Sequence, residues 1–547
     1  MKKNRIQNAI IHRLPAVLAA AFLASAALSG CGSAPPRTDG SQAIHAESSA
    51  DSQKEGAEDL SSGEKKSLVF GDTTFNAENE ESNIDPHSAY CGWACIRYGV
   101  GETLFKFSDG MELEPWIASG YKNIDPLTWE ISIKDGVTFS NGKAVDAEAV
   151  KACIEDLAAV HERAAGDLMI DEILADGQLL TIRTKEEKPT LINYLCDPYG
   201  CIIDVEAGNE NGIVTGTGPF IAKELVTDDH IKLVKNKSYW NGEPKIDEIT
   251  VLTISDGDTL AFSLQNGDID AAYGMAYASY PIFENDDYTF SSSPTSRAFF
   301  CQMNFRSPIM QDEAVRKAIA LGIDKQGFVD TLLRGYGYVG TGAFPDSFSY
   351  GGQKLETEGY DPEEAKAELE EAGWIDRDGD GIREKDGQAL SIRWISYPSR
   401  QELPLLAEYA HSTLKEIGID VQLTISADHN AIVSEPEGWD LYAAAFVTCG
   451  TGDPAYFFTT HCLKDSVKNR GAYYDEELEE LAAELNRTFD PEKRSQLAIQ
   501  MQEEILDDNA FIFCSFLRMS MISKANVTGL SAHTCDYYEL TADLDIS

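Results

Sequence analysis

One long apolar run constrains everything else in this chain. Leu14 to Leu28 is almost wholly apolar and rich in alanine, and the cations Lys2, Lys3, Arg5 and Arg13 precede or open it. At about 15 residues the run is short for a bilayer-spanning helix, which needs about 20, and it suits the core of a signal peptide. No later segment is as apolar. The rest of the chain must therefore fold in water from short elements, and residues 1–30 read as an export signal.

The run ends in Leu28-Ser29-Gly30-Cys31, which resembles the bacterial lipobox and implies cleavage before Cys31 and lipidation of its thiol. Residues 32 to about 66 hold almost no large apolar side chain and cannot bury enough surface to offset their ordering entropy. Residues 31–66 are thus expected to be a lipid-anchored flexible tether. The chain carries 91 acidic against 45 basic residues, a net charge of −46. That charge repels phosphate backbones, so no nucleic-acid partner is expected, and it gives no attraction to an anionic bilayer. A covalent lipid is then what holds the protein to the extracytoplasmic face of a bacterial membrane.

The body beyond the tether has ample apolar residues for large cores and shows no tandem repeat. Thr128–Ile133 and His230–Val234 alternate in the manner of half-buried strands. Asp361-Pro362-Glu363-Glu364 and Asp490-Pro491-Glu492 combine a capping aspartate, a first-turn proline and a carboxylate at the positive end of the dipole. Gly373 marks a helix stop, and Asp312 precedes a third helix. The mixture predicts an α/β protein of more than one lobe. Of eleven cysteines, Cys91/Cys95 and Cys196/Cys201 are close in sequence; each pair is either a disulfide or two buried thiols. Structural zinc is disfavoured because Cys91-x₃-Cys95 has no second matching pair.

A set of motifs then falls in a familiar order. Glu114-Pro115-Trp116, Gly136-Val137-Thr138-Phe139-Ser140-Asn141-Gly142 and Asp146-Ala147-Glu148 come first. Gly216-Thr217-Gly218-Pro219-Phe220, Lys235-Asn236-Lys237-Ser238-Tyr239-Trp240 and Asn266-Gly267-Asp268-Ile269-Asp270 follow, then Val315-Arg316-Lys317-Ala318-Ile319 and Ala372-Gly373-Trp374. Together they resemble the family 5 extracellular solute-binding proteins, receptors of peptide and nickel ABC importers, over roughly residues 67 to 540. The resemblance implies a two-lobed type II periplasmic-binding-protein fold, a monomer that closes on a ligand by hinge motion and hands it to an ABC permease and its ATPase. It implies lobe one at 67–298 with an inserted subdomain at about 88–212, lobe two at 299–512, and a return to lobe one at 513–547. Arg297 to Asn304 is the expected outbound crossing and Phe511 to Met519 the expected return. No catalysis and no resident cofactor are implied.

Site residues follow from the same resemblance. In peptide-binding relatives an aspartate four residues before the proline of a Gly-Asp-Pro turn pairs with the peptide amine; here Gly450 stands at that place, and Asp453 of Asp453-Pro454 stands nearby as a ligand candidate. The departure leans toward the nickel branch and a chelate or short peptide-like ligand. Tyr90, Trp93 and Arg97 resemble the segment with which nickel receptors line the cleft. Asp197, next to Pro198 and Tyr199, stands where those receptors carry an arginine, and a charge reversal at a carboxylate contact demands a new partner. Arg297, Arg400 and Arg518 are the replacement cations for ligand carboxylates. Tyr456 is an aromatic candidate beside the turn. His461 and Cys462 are candidate metal ligands, imidazole and thiolate both suiting nickel.

Two alternatives stand beside this reading: a plain dipeptide or oligopeptide receptor, and an exported hydrolase using paired carboxylates. The hydrolase is disfavoured because His-Glu-x-x-His and Gly-x-Ser-x-Gly are absent. A receptor of this fold that senses rather than transports would look the same in sequence. Asp376, Asp378 and Asp380 open a calcium loop of the EF-hand kind. Gly387 occupies its twelfth position, where a bidentate glutamate is needed, so an acidic turn is the preferred reading and a weak calcium site the other.

Overall fold

The computed structural model describes residues 65–77, 82–357 and 359–547; the apolar run, Cys31 and the tether up to residue 64 lie outside them. Two long antiparallel strands, Tyr288–Met303 and Phe511–Lys524, organise the rest. Side chains alternate along a strand. Phe299, Cys301 and Met303 accordingly enter one hydrophobic core, while Ala298 and Phe300 enter another. The ladder between the two strands breaks register between Pro294 and Ala298, where proline has no N–H to give.

Each side of that break builds its own half of an eleven-stranded sheet. Before it, Phe511–Lys524 is flanked by Ala271–Tyr273, then Ser67–Asp72, Glu248–Thr253, His230–Lys235 and Phe220–Val226. After it, Arg297–Met303 pairs with Leu441–Val447, followed by Ser391–Ser396 and Asp420–Ile425. Both halves contain parallel pairs, which need crossover connections. Gly257–Asn266 provides one and Glu402–Glu416 another. A separate antiparallel sheet of Ala118–Asp125, Thr128–Ile133, Leu179–Thr184 and Ile170–Asp176 packs against the helix Ala147–Val160.

The helix signals act locally as their chemistry requires. Asp361 accepts the N–H groups of Glu363 and Glu364 at the start of Pro362–Glu371, and Gly373 follows with φ 91°. Asp490 caps Pro491–Asp507 through the N–H of Lys493. Asp312 precedes Glu313–Gly322 without a side-chain cap; its carboxylate instead accepts Trp374 Nε1 at 3.0 Å and Lys385 Nζ at 2.8 Å.

Two of the sequence motifs meet at one buried carboxyl. Gly218 N–H donates to Val100 O at 3.0 Å, an approach so close that a Cβ on Gly216 would lie 2.1 Å from that oxygen. The loop thereby brings Thr217 Oγ1 to Glu102 at 2.9 Å, and Trp240 Nε1 donates to the same carboxyl at 2.8 Å. Tyr239 OH is the third donor. Burial still outweighs these bonds and pushes Glu102 up to about 7. All ten cysteines of the described residues are buried free thiols, so neither close-spaced pair is a disulfide. No described helix is long and apolar enough to cross a membrane.

Candidate ligand-binding site

A cavity of about 830 Å³ opens where the two halves of the sheet meet. One half contributes Thr73, Asp256 and Tyr273, the other Tyr397, Arg400 and Glu402. Arg297 and Arg518 enter from the two long strands at their register break. The three arginines singled out in the sequence thus line one space. Their partners differ. Arg518 donates to Ser292 Oγ at 3.1 Å and to Ser292 O at 3.2 Å. Arg297 lies 3.7 Å from Asp536. Arg400 makes no ion pair and no side-chain hydrogen bond among the described residues. The charge of Arg297, and then burial, push its guanidinium below the ordinary value. Glu402 in the same wall is pushed up by burial.

Arg97 sits behind this cavity. It is 3 % exposed and lies 3.4 Å from Glu539, 3.8 Å from Asp536 and 3.9 Å from Asp72. Its guanidinium lies over the rings of Trp93 and Tyr273. It therefore holds three acids and two rings in place. Trp93 packs edge-on against Tyr537, whose hydroxyl donates to Gly450 O at 2.9 Å.

A second group gathers around Arg163, a residue the sequence did not single out. Its guanidinium donates to both oxygens of Asp197 at 3.3 and 3.4 Å and lies over Tyr90 and Tyr199. The acid at position 197 thus has its counter-charge inside the protein. Although burial opposes it, Asp197 holds Arg163 above the usual guanidinium value. Tyr199 is fully buried and donates to Asp167 at 3.2 Å, whereas Tyr90 is exposed. Tyr456 is pushed up chiefly by burial, with Asp197, Arg163 and Tyr90 among the charges acting on it; its ring stacks on Phe446. Asp453 takes no part in this group. Both its oxygens accept from Arg494, at 2.6 and 2.9 Å.

His461 faces a smaller cavity of about 280 Å³, also lined by Phe446, Lys468 and Arg470. Burial pushes its imidazole well below the ordinary value, so the ring is neutral, the form that ligates metals. Cys462 lines neither cavity, and burial holds its thiol far above the range where a thiolate forms. Among the described residues, one group of three or more His, Cys, Asp or Glu side chains comes within metal-ligand spacing: Asp376, Asp378 and Glu384. Asp380 is outside it and accepts Ile382 N–H instead. The loop runs into the hairpin Glu384–Lys385/Gln388–Ala389 rather than an exiting helix. Neither cavity brings three such side chains of the described residues within metal-ligand spacing.

Besides Arg163, sequence reading missed Lys468, Arg470, Tyr397 and Asp536. Local pattern carries no signal for them, because each acquires its neighbours through the fold. His429 lines both cavities, with Nδ1 2.7 Å from Tyr442 OH.

Residues 112–469 match the middle region of the bacterial extracellular solute-binding proteins, family 5. The chain is 29 % identical over 409 residues to the nickel-binding protein NikA of Staphylococcus aureus, covering 74 % of this chain and 80 % of that one. It is 26 % identical over 484 residues to the glutathione-binding protein GsiB of Salmonella paratyphi A, covering 84 % and 92 %. Among solved structures, a nickel ABC transporter protein from Bacillus halodurans superposes with a TM-score of 0.76 at 29 % identity, over 88 % of this chain and all of that one. The two halves of the sheet are accordingly the two lobes of a type II periplasmic-binding-protein fold, and the chain belongs to family 5 of the bacterial extracellular solute-binding proteins.

Proposed function

We propose that this protein is the lipid-anchored receptor of an ABC importer, and that it captures nickel held by a small carboxylate-bearing chelator. The observation that carries the reading is Arg400. In a chain with 91 acids to 45 bases, a guanidinium in the cavity wall forms no ion pair among the described residues, and the charge of Arg297 beside it acts on it more strongly than that of the nearby acid Glu402. A bound carboxylate supplies the missing counter-charge. The metal favours a chelate over a free ion, because the protein's own donors in reach do not complete a coordination sphere. His461 is a candidate for one site on that sphere. In this reading lobe one is 67–298 and 513–547, with a subdomain at about 88–212, and lobe two is 299–512. Cys31 carries the anchor.

Calorimetry with Ni(II) and L-histidine tests the reading. Arg400→Met is expected to weaken binding about tenfold or more, roughly 1.4 kcal/mol, with the melting temperature of the ligand-free protein unchanged. His461→Ala is expected to weaken binding of the chelate by a similar factor. Cys31→Ala should release the protein from the membrane fraction or leave it unprocessed; a variant still cleaved and membrane-bound would show a different anchor. The dipeptide reading rests on the glutathione-binding relative. Tight binding of metal-free di- or tripeptides, indifferent to added EDTA and to His461→Ala, would establish it in place of nickel. Gly450 argues against it, since it offers no carboxylate to a peptide amine.

A further inference from the structure

The smaller cavity shares Tyr397, His429 and Ala445 with the large one. Tyr397 and His429 stack with ring centroids 4.1 Å apart and form the partition between the two. Behind that partition the walls are aromatic, Phe300, Tyr442 and Phe446, and the charged groups are Lys468 and Arg470. Neither side chain makes an ion pair or a side-chain hydrogen bond to the described residues. Lys468 Nζ has only the ring of Phe446 beneath it, 4.3 Å from the centroid. His461 is 4 % exposed and faces the same space, and its Nδ1 has no hydrogen-bond partner. An unpartnered buried ring nitrogen is costly in any protein, and half-buried Lys468 loses hydration with no counter-charge to offset it. The two cations are more unexpected in a chain with twice as many acids as bases. No acid has been placed to neutralise them, although acids are abundant.

We propose that this chamber is an anion subsite of the binding cleft, which accepts a carboxylate of the ligand beyond the one that meets Arg400. Lys468 and Arg470 supply the counter-charge and His461 Nδ1 a hydrogen bond, in which case His461 serves the arm and not the metal, which stays with the ligand's body in the large cavity. The volume is about that of a small side chain with a few waters, since a water's share of liquid is about 30 Å³. The ligand's body occupies the large cavity, and one acidic arm passes the Tyr397–His429 partition. The proposal rests on the reading of the large cavity as the ligand site, and it adds selectivity. Ligands with an additional carboxylate are preferred over those without it.

The test compares two nickel chelates that differ by one carboxylate arm, Ni(II)–iminodiacetate and Ni(II)–glycinate, by calorimetry on the whole protein. Wild type is expected to bind the dicarboxylate at least about tenfold more tightly. Lys468→Met and Arg470→Met are each expected to remove most of that preference while leaving glycinate affinity within about twofold. Arg400→Met should weaken both chelates together. Ligand-free Lys468→Met should melt no lower than wild type, because it loses no ion pair. Equal affinity of wild type for the two chelates, or a preference that survives both substitutions, overturns the subsite. A melting temperature several degrees lower would mean that Lys468 is structural, and overturns it too. If neither chelate binds but Ala-Asp does, the nickel reading fails by itself; a preference for Ala-Asp over Ala-Asn that Lys468→Met abolishes then still supports the subsite. If none of these probes binds, both proposals fall.

Discussion

Asp453 shows how position in sequence and position in space diverge at the scale of one residue. It stands in the turn where peptide-binding relatives keep their amine anchor, which made it a ligand candidate. Its carboxylate is nevertheless committed twice to Arg494 in a buried pair, and Arg494 also donates to Leu485 O and Thr488 O. Removing one partner of a buried pair leaves the other charge uncompensated, at a cost of about 3–5 kcal/mol. Asp453→Ala is therefore expected to lower the urea midpoint strongly, and Arg494→Met to do the same. Ligand affinity of whatever protein remains folded should be unchanged. A variant of normal stability that has lost binding would return Asp453 to the site. The same distinction separates the arginines. Arg297, Arg400 and Arg518 could be picked out in sequence only through the family resemblance, as cations to replace the arginine missing at position 197. Arg163 could not, because its pairing with Asp197 spans 34 residues and exists only once the chain has folded.

Among the elements, capping chemistry was the most legible feature, since a cap is decided within four residues. Asp361 and Asp490 behave as read, and Asp312 does not because Trp374 and Lys385, distant in sequence, claim its carboxylate. The loop Gly216–Pro219 was legible only as one motif in the family's order. Its purpose is long-range: it delivers Thr217 to Glu102, whose carboxyl burial pushes from 4.5 to about 7. A carboxyl whose folded pKa is raised stabilises the fold fully below its unfolded pKa, and that contribution is lost as pH rises through the folded value. Between about pH 4.5 and 7, Glu102 thus makes the protein less stable as the solution becomes more alkaline. The effect is on the order of 3 kcal/mol at 1.36 kcal/mol per pKa unit. Comparing urea unfolding at pH 5 and pH 8, wild type should lose more stability, or gain less, than Glu102→Gln over the same interval. Identical pH dependence in the two proteins would mean that Glu102 ionises normally in the folded state.

For the whole molecule, the order of motifs was enough to identify a two-lobed receptor, whereas the shared sheet was not legible. A 16-residue strand that serves one core in its first half and both cores in its second has no local signature. That strand and its partner Phe511–Lys524 are continuous across both lobes, and their ladder is interrupted between Pro294 and Ala298. The interruption falls in the cavity wall, where Thr295, Ser296 and Arg297 lie opposite Leu517 and Arg518. Rotation of one lobe against the other concentrates where fewest ladder bonds resist it. A ligand that touches Tyr273 on one side and Arg400 on the other favours the closed arrangement by the difference in its contacts between the two states. Small-angle scattering with saturating Ni(II) and L-histidine should therefore show a smaller radius of gyration than the ligand-free protein. Arg400→Met should need a higher ligand concentration for the same contraction, because it loses contacts made in the closed state without altering the hinge. If the radius stays constant at a saturation verified by calorimetry, the strands do not act as a hinge, and the ligand must enter a cleft that is already closed.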